Sequence, residues 1–157
     1  MKYLYAPWRD VYFERKKQGC IFCRASKSKS DGKNFVIFRG KRCFAMLNIF
    51  PYTTAHVMIA PYRHCADLCK LKKKELSDMM EIAQKMTGVF KKVFKCRNFN
   101  IGINQGAASG AGFAGHIHLH VVGRWPGDVN FMTAVSKTRV ISSAPEKIYG
   151  ILKKQLR

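Results

Sequence analysis

Between residues 35 and 60 the apolar positions fall into short runs separated by turn formers. Phe35-Val36-Ile37-Phe38 stops at Arg39-Gly40-Lys41, and Cys43-Phe44-Ala45-Met46-Leu47 rises from it. Two β-prone runs around a glycine turn predict a hairpin. Pro51 and Tyr52-Thr53-Thr54 make another turn, and His56-Val57-Met58-Ile59-Ala60 predicts a third strand closed by Pro61. The period then changes over residues 73–95. Leu76, Met79, Met80, Ala83, Met86, Phe90, Val93 and Phe94 recur at three- and four-residue steps among Lys, Glu, Ser, Asp and Gln. That spacing predicts an amphipathic helix lying on a sheet, with the methionines filling core rather than framing a cofactor. Residues 98–104 alternate polar and apolar like a half-buried strand. A loop of Gly, Ala and Ser follows over 105–115, then a histidine-bearing strand over 116–122. Residues 130–135 predict one more strand, and 145–156 a short C-terminal helix. Residues 1–19 form an aromatic and basic lead-in, and residues 24–34, polar and rich in turn formers, read as a loop. Strand runs around one long helix predict an α+β fold with a mainly antiparallel sheet of about five strands.

A chain of 157 residues predicts a single domain over 1–157, with the lead-in at 1–19 and the core from 20 onward. Apolar residues at 47% and charged residues at 24% are the balance of a soluble globular protein. No stretch approaches the roughly 18 apolar residues that cross a bilayer, which excludes a membrane-spanning helix. The first ten residues lack the apolar segment of a signal peptide, so the expected location is cytoplasmic. In that reducing compartment the six cysteines are not expected to form disulfides, and Cys43 and Cys96 read as small core residues. The formal charge of +20 has two readings. One is a polyanionic partner. The other is a general bias toward lysine on solvated faces, which the scattered distribution of the basic residues favours. In either case the field attracts phosphate-bearing molecules.

The chemistry concentrates in His116-Ile117-His118-Leu119-His120, which holds three of the five histidines. On a strand, alternate side chains share a face, so the imidazoles line one side while Ile117, Leu119 and Val121 anchor the other. Three imidazoles on one rigid face make a metal site or an anion site. The glycine-rich loop before them can bring main-chain amides close to phosphate oxygens. Cys20-Ile21-Phe22-Cys23 is the other motif. Its spacing alone admits a redox pair, half of a zinc site, or two buried thiols.

The run His116-Ile117-His118-Leu119-His120-Val121-Val122 resembles the signature of the histidine-triad (HIT) family. The likeness extends to Ala6-Pro7-Trp8-Arg9, Cys20-Ile21-Phe22-Cys23, Leu47-Asn48-Ile49-Phe50-Pro51-Tyr52, Ile59-Ala60-Pro61-Tyr62-Arg63-His64 and Arg124-Trp125-Pro126-Gly127-Asp128-Val129-Asn130-Phe131. These resemble the microbial branch close to diadenosine polyphosphate hydrolases and phosphorylases. The resemblance implies a HIT-like fold that dimerises through the long helix and the 98–104 strand. It also implies a hydrolase or nucleotidyltransferase that cleaves at a nucleotide α-phosphate through a nucleotidyl-histidine. His118 matches the nucleophile and His120 the histidine that hydrogen-bonds phosphate and leaving group. Asn104 or Gln105, with the main-chain amides of Gly110, Ala111 and Gly112, would hold the phosphates. Asn48 matches the ribose-binding position, and Ile21, Phe22, Met46 and Ile49 would line the base pocket. His56 matches a fourth histidine behind the triad.

Zinc-bearing members of the family further imply a structural zinc ion on Cys20, Cys23, His64 and His116, which leaves His118 and His120 for chemistry. The sequence departs from its relatives at Gly123, where Pro is common, and at Ala55, where Gly is. It also lacks the Ser or Thr that some members carry near Gly112 and Phe113, so main-chain amides must serve there. Two other readings compete: a zinc-stabilised nucleic-acid-binding module, and an enzyme that removes adenylate from nucleic-acid ends. The intact triad disfavours the first, and the missing finger or basic tail disfavours the second.

Overall fold

The computed structural model describes residues 19–128, 141 and 143–156. The expected strand at 130–135 and the Ala6-Pro7-Trp8-Arg9 motif lie outside them. Five strands form one sheet in the order β1-β2-β3-β5-β4. They are β1 (Val36–Arg39), β2 (Cys43–Leu47), β3 (His56–Pro61), β4 (Asn98–Ile103) and β5 (Leu119–Arg124). Every neighbouring pair is antiparallel. The α+β expectation holds.

The long helix α2 (Lys73–Phe94) joins β3 to β4, and β5 then inserts between those two strands. Apolar spacing places the helix on the sheet, but the stripe differs in detail from the one read in the sequence. Its inward positions are Glu75, Met79, Ile82, Ala83, Met86 and Phe90. Leu76 and Met80 face outward, 37% and 56% exposed. Each lies one residue, about 100° of helix, from an inward position. The inward Glu75 is held by its surroundings: its carboxylate takes two bonds from Arg63, at 3.0 and 2.7 Å, and the Lys72 N–H that opens the helix. Asp78 on the same helix accepts the N–H groups of Arg42 and Cys43 at 2.6 and 2.7 Å, which clamps the β1–β2 hairpin onto α2.

The two faces of the sheet are covered differently. One packs Ala45, Val57, Ile59, Leu119 and Val121 against α2 and against Ile148 and Leu152 of α3 (Pro145–Gln155). The other carries Val36, Phe44, Met46, Met58 and Ala60 under Phe22 and Ala25 of α1 (Ile21–Lys27). Burial on both sides is why β2 reads as an unbroken apolar run. The helix α1 corrects the loop expected from Arg24 onward. The polar composition of the segment hid it, because its support is remote. The Arg39 guanidinium donates to the carbonyls of Ala25, Ser26 and Ser28 at 2.9–3.1 Å, satisfying the helix end. No helix among the described residues is long and apolar enough to cross a membrane.

Gly123 shows how tightly β5 is held. A Cβ there would lie 2.9 Å from Cys96 Sγ and 3.2 Å from the Ala55 methyl. Gly123→Ala is therefore expected to lower folding stability by about 1–3 kcal/mol. Gly102→Ala, whose Cβ meets nothing within 4 Å, should stay within about 0.5 kcal/mol of the parent. Urea denaturation of the two variants side by side checks the difference.

Candidate active site and metal centre

The histidine segment enters the sheet later than its alternation suggests. Hydrogen-bonded pairing starts at Leu119, so only His120 lies on β5 proper. His116 and His118 precede it, held by the Ile117 N–H on the Cys65 carbonyl at 2.6 Å. The facing is as expected: Ile117, Leu119 and Val121 are in the main core, and the three imidazoles lie on the Phe22 side. Phe22 is fully buried, with its ring 5.0 Å from His116 and 4.7 Å from His118.

Each ring has one nitrogen fixed by the fold. His116 Nε2 donates to the Pro61 carbonyl at 3.0 Å, which leaves the Nδ1 lone pair facing Cys20 Sγ at 3.3 Å and Cys23 Sγ at 3.7 Å. His118 Nδ1 donates to the His116 carbonyl at 2.9 Å, which leaves Nε2 unprotonated. On β3, His56 Nδ1 accepts the Tyr52 N–H at 3.1 Å, so the His56 proton sits on Nε2 and is donated to His120 Nδ1 at 2.9 Å. The His120 proton is thereby placed on its Nε2. Burial pushes all four histidines below their ordinary value: His56 to about 3, His116 and His120 to about 4, and His118 downward. Neighbouring imidazoles add to the shift at His56, His116 and His120. All four rings are neutral at pH near 7.

His64 Nδ1 lies 3.3 Å from Cys23 Sγ, and the donor atoms of Cys20, Cys23, His64 and His116 all lie within 4.8 Å of one another. A tetrahedral zinc ion with these ligands needs sulfur–nitrogen edges of about 3.6 Å. Two thiols and two imidazoles in this arrangement fit such an ion.

The remaining candidates are placed less uniformly. Asn48 Oδ1 accepts the Phe50 N–H at 2.9 Å, a turn-forming bond, and its Nδ2 lies 3.3 Å from His56 Nδ1. Ile21 is half-buried and Ile49 is 44% exposed, whereas Met46 is buried beside Phe22. Gln105 is tied away from the triad, accepting the Leu68 N–H and donating to Asp67. Asn104 lines the same cleft as His120. The Gly110 N–H goes to the Ala107 carbonyl at 3.1 Å. The amides of Ala111 and Gly112 have no main-chain acceptor among the described residues. Sequence reasoning missed the Pro61 carbonyl and the Tyr52 amide, since main-chain groups leave no mark in residue identity.

An antiparallel sheet with alternate histidines on its less covered face defines a histidine-triad protein, and comparison with known proteins agrees. Residues 29–127 match the HIT domain, and the chain belongs to the HIT family. It is 41% identical over 112 residues to AP-4-A phosphorylase of Mycobacterium tuberculosis, covering 71% of this chain and 57% of that protein. It is 33% identical over 93 residues to the asymmetrical bis(5'-nucleosyl)-tetraphosphatase of Schizosaccharomyces pombe, covering 59% of this chain and 50% of that protein. The chain thus spans about half the length of these relatives. Among solved structures, the fold is similar to a zinc-bound histidine-triad family protein from Mycobacterium smegmatis. The TM-score there is 0.69 at 24% identity, over 90% of this chain and 95% of that one.

The depressed histidines make stability pH-dependent. Below about pH 6.5 the unfolded chain takes up protons that folded His56 and His120 refuse. Stability is full at neutral pH and falls on acidification, until about pH 4 for His120 and about pH 3 for His56. The slope should not exceed about 1.4 kcal/mol per pH unit for each ring. Urea midpoints measured from about pH 7 to pH 5 test this, and His56→Asn should flatten the curve by one ring's share.

Proposed function

We propose that this protein cleaves nucleotides at the α-phosphate, as in diadenosine polyphosphates, through a covalent nucleotidyl-His118. The bond between His118 Nδ1 and the His116 carbonyl carries the reading. It leaves a neutral lone pair on Nε2, the state a nitrogen nucleophile requires. In the first step that lone pair forms a P–N bond and the bond from phosphorus to the bridging oxygen breaks. His120, with its proton on Nε2, donates a hydrogen bond to the departing oxygen, which leaves as an anionic phosphate. In the second step an oxygen of water, which gives up a proton to solvent, or of inorganic phosphate attacks, and the P–N bond breaks. The named relatives support the substrate class, a phosphorylase and a tetraphosphatase corresponding to the two acceptors.

Asn104 and the amides of Ala111 and Gly112 would hold the phosphates, with Gln105 and Gly110 supporting the loop from behind. Asn48 would meet the ribose. Ile21 and Ile49 would form the exposed wall of the base pocket, backed by Phe22 and Met46. The six free thiols suit a reducing cytoplasm.

A structural zinc ion would be held by Cys20, Cys23, His64 and His116. When bound, it supplies a cross-link rather than reactivity, tying α1 and the segment after β3 to the triad. A dimer would form along β4, the sheet edge, where Ile101 is 46% exposed, with Leu76 and Met80 of α2 adding apolar surface. Sedimentation at micromolar concentration should show two chains, and a monomer would count against this pairing.

The three histidines should separate in function. His118→Gly should fold and bind nucleotide but form no phosphoramidate adduct with labelled substrate trapped in acid-free denaturant. An adduct persisting in that variant would refute the assignment. His120→Ala should still form adduct, roughly 10²–10³-fold more slowly. His116→Ala, like Cys20→Ser with Cys23→Ser, should lose about one zinc per chain and melt at a lower temperature. Chromatography of products from diadenosine tetraphosphate, with and without inorganic phosphate, identifies the acceptor.

A further inference from the structure

Residues 63–70, between β3 and α2, hold the glycine-rich loop at both of its ends. This segment is closed on itself. The Arg63 guanidinium donates to the Lys70 carbonyl at 2.9 Å and to the Glu75 carboxylate at 2.7 Å. Asp67 Oδ1 accepts the Cys69 N–H at 3.0 Å, and Cys65 is buried. At the start of the loop Gln105 grips two groups of the segment. Its Oε1 accepts the Leu68 N–H at 2.9 Å, and its Nε2 donates to Asp67 Oδ1 at 3.2 Å. At the end of the loop the Cys65 carbonyl accepts the Ile117 N–H at 2.6 Å, between His116 and His118. Residues 106–116 are strung between these two holds, with Ala111 and Gly112 near the middle.

The loop needs both holds. Gly106, Gly110, Gly112 and Gly115 give it wide freedom when untied, and Gly106 and Gly110 sit at φ of +83° and +80°. Amides that must first be ordered bind an anion at the expense of that freedom, whereas amides already in place do not. The hold at Ile117 is main chain to main chain, which any residues could supply. The hold at Gln105 depends on two side chains. We infer that Asp67 and Gln105 are positioning residues that set how tightly the loop holds phosphate, with neither touching the nucleotide. The inference deepens the function proposed above and rests on its reading of the Ala111 and Gly112 amides as the phosphate cradle. Charge alone predicts the opposite for Asp67, because a carboxylate repels an approaching phosphate and its removal would tighten binding.

Equilibrium binding tests this without turnover. AMP and adenosine are titrated calorimetrically against the full chain and its variants. Adenosine lacks the phosphate, so its affinity reports base and ribose contacts alone. The parent should bind AMP at least about tenfold more tightly than adenosine. Gln105→Leu, at an exposed position, should weaken AMP at least about fivefold and leave adenosine within about twofold. Asp67→Ala should weaken AMP at least about threefold although it removes a negative charge. Asp67→Asn, which keeps the accepting oxygen, should bind AMP no more weakly than the parent. The two Asp67 variants decide the matter if Gln105→Leu misfolds. AMP affinity that is unchanged or raised in Asp67→Ala would overturn the inference, since Gln105 would then act without its partner. A fall shared equally by adenosine would overturn it too, because the pair would then serve the fold alone. Failure of the catalytic reading would appear separately, as an adduct persisting in His118→Gly.

Discussion

A neutral imidazole has one proton for two nitrogens, so a hydrogen bond at one of them settles the role of the other. The site of this protein is built on that constraint. His116 commits its proton to the Pro61 carbonyl and is left with a lone pair toward two thiols. His118 commits its proton to the His116 carbonyl and is left with a lone pair on Nε2. His56 accepts from the main chain at Tyr52, and the consequence passes through its other nitrogen to His120, which is left as a donor. Three chemically identical side chains are thus left by their partners as two lone-pair donors and one hydrogen-bond donor. Burial reinforces the arrangement by keeping the rings uncharged.

The sheet order makes this possible. With β5 between β3 and β4, His120 is flanked by Met58 on one side and Gly102 on the other. The β3 side supplies the closed, desolvated wall with His56, and the β4 side supplies open space. A strand at the edge would have left the histidines solvated, with pKa values nearer 6.5 and no fixed partners.

Local patterns made the three-stranded meander, the long helix and the facing of the triad legible in the sequence, because each depends on side-chain spacing alone. The resemblance to HIT proteins then named the four metal-binding candidates, and the structure brings their donor atoms together. Three features were hidden for distinct reasons. The helix α1 depends on an arginine twelve positions beyond its end, as the bond from Arg39 to Lys27's neighbours Ser26 and Ser28 makes plain. The outward turn of Leu76 and Met80 is an angular detail that a three- and four-residue count does not resolve. The main-chain acceptors that orient the imidazoles are indistinguishable from any other peptide group until the chain is folded. Gln105 and Asn104, adjacent in sequence, part only because Asp67 and Leu68 capture the glutamine.

The shortness of α1 has a consequence for how the molecule assembles. Seven residues are too few to hold a helix in isolation. Its C-terminal end needs the Arg39 fork from β1, and its N-terminal Cys20 meets His116 across 96 residues of chain. Contacts of such separation carry a large loop-closure entropy and form late. The α1 cover over the imidazoles therefore forms late in folding. By the same reasoning α1 is expected to open early in partial unfolding. Native-state hydrogen exchange should then find α1 less protected than α2.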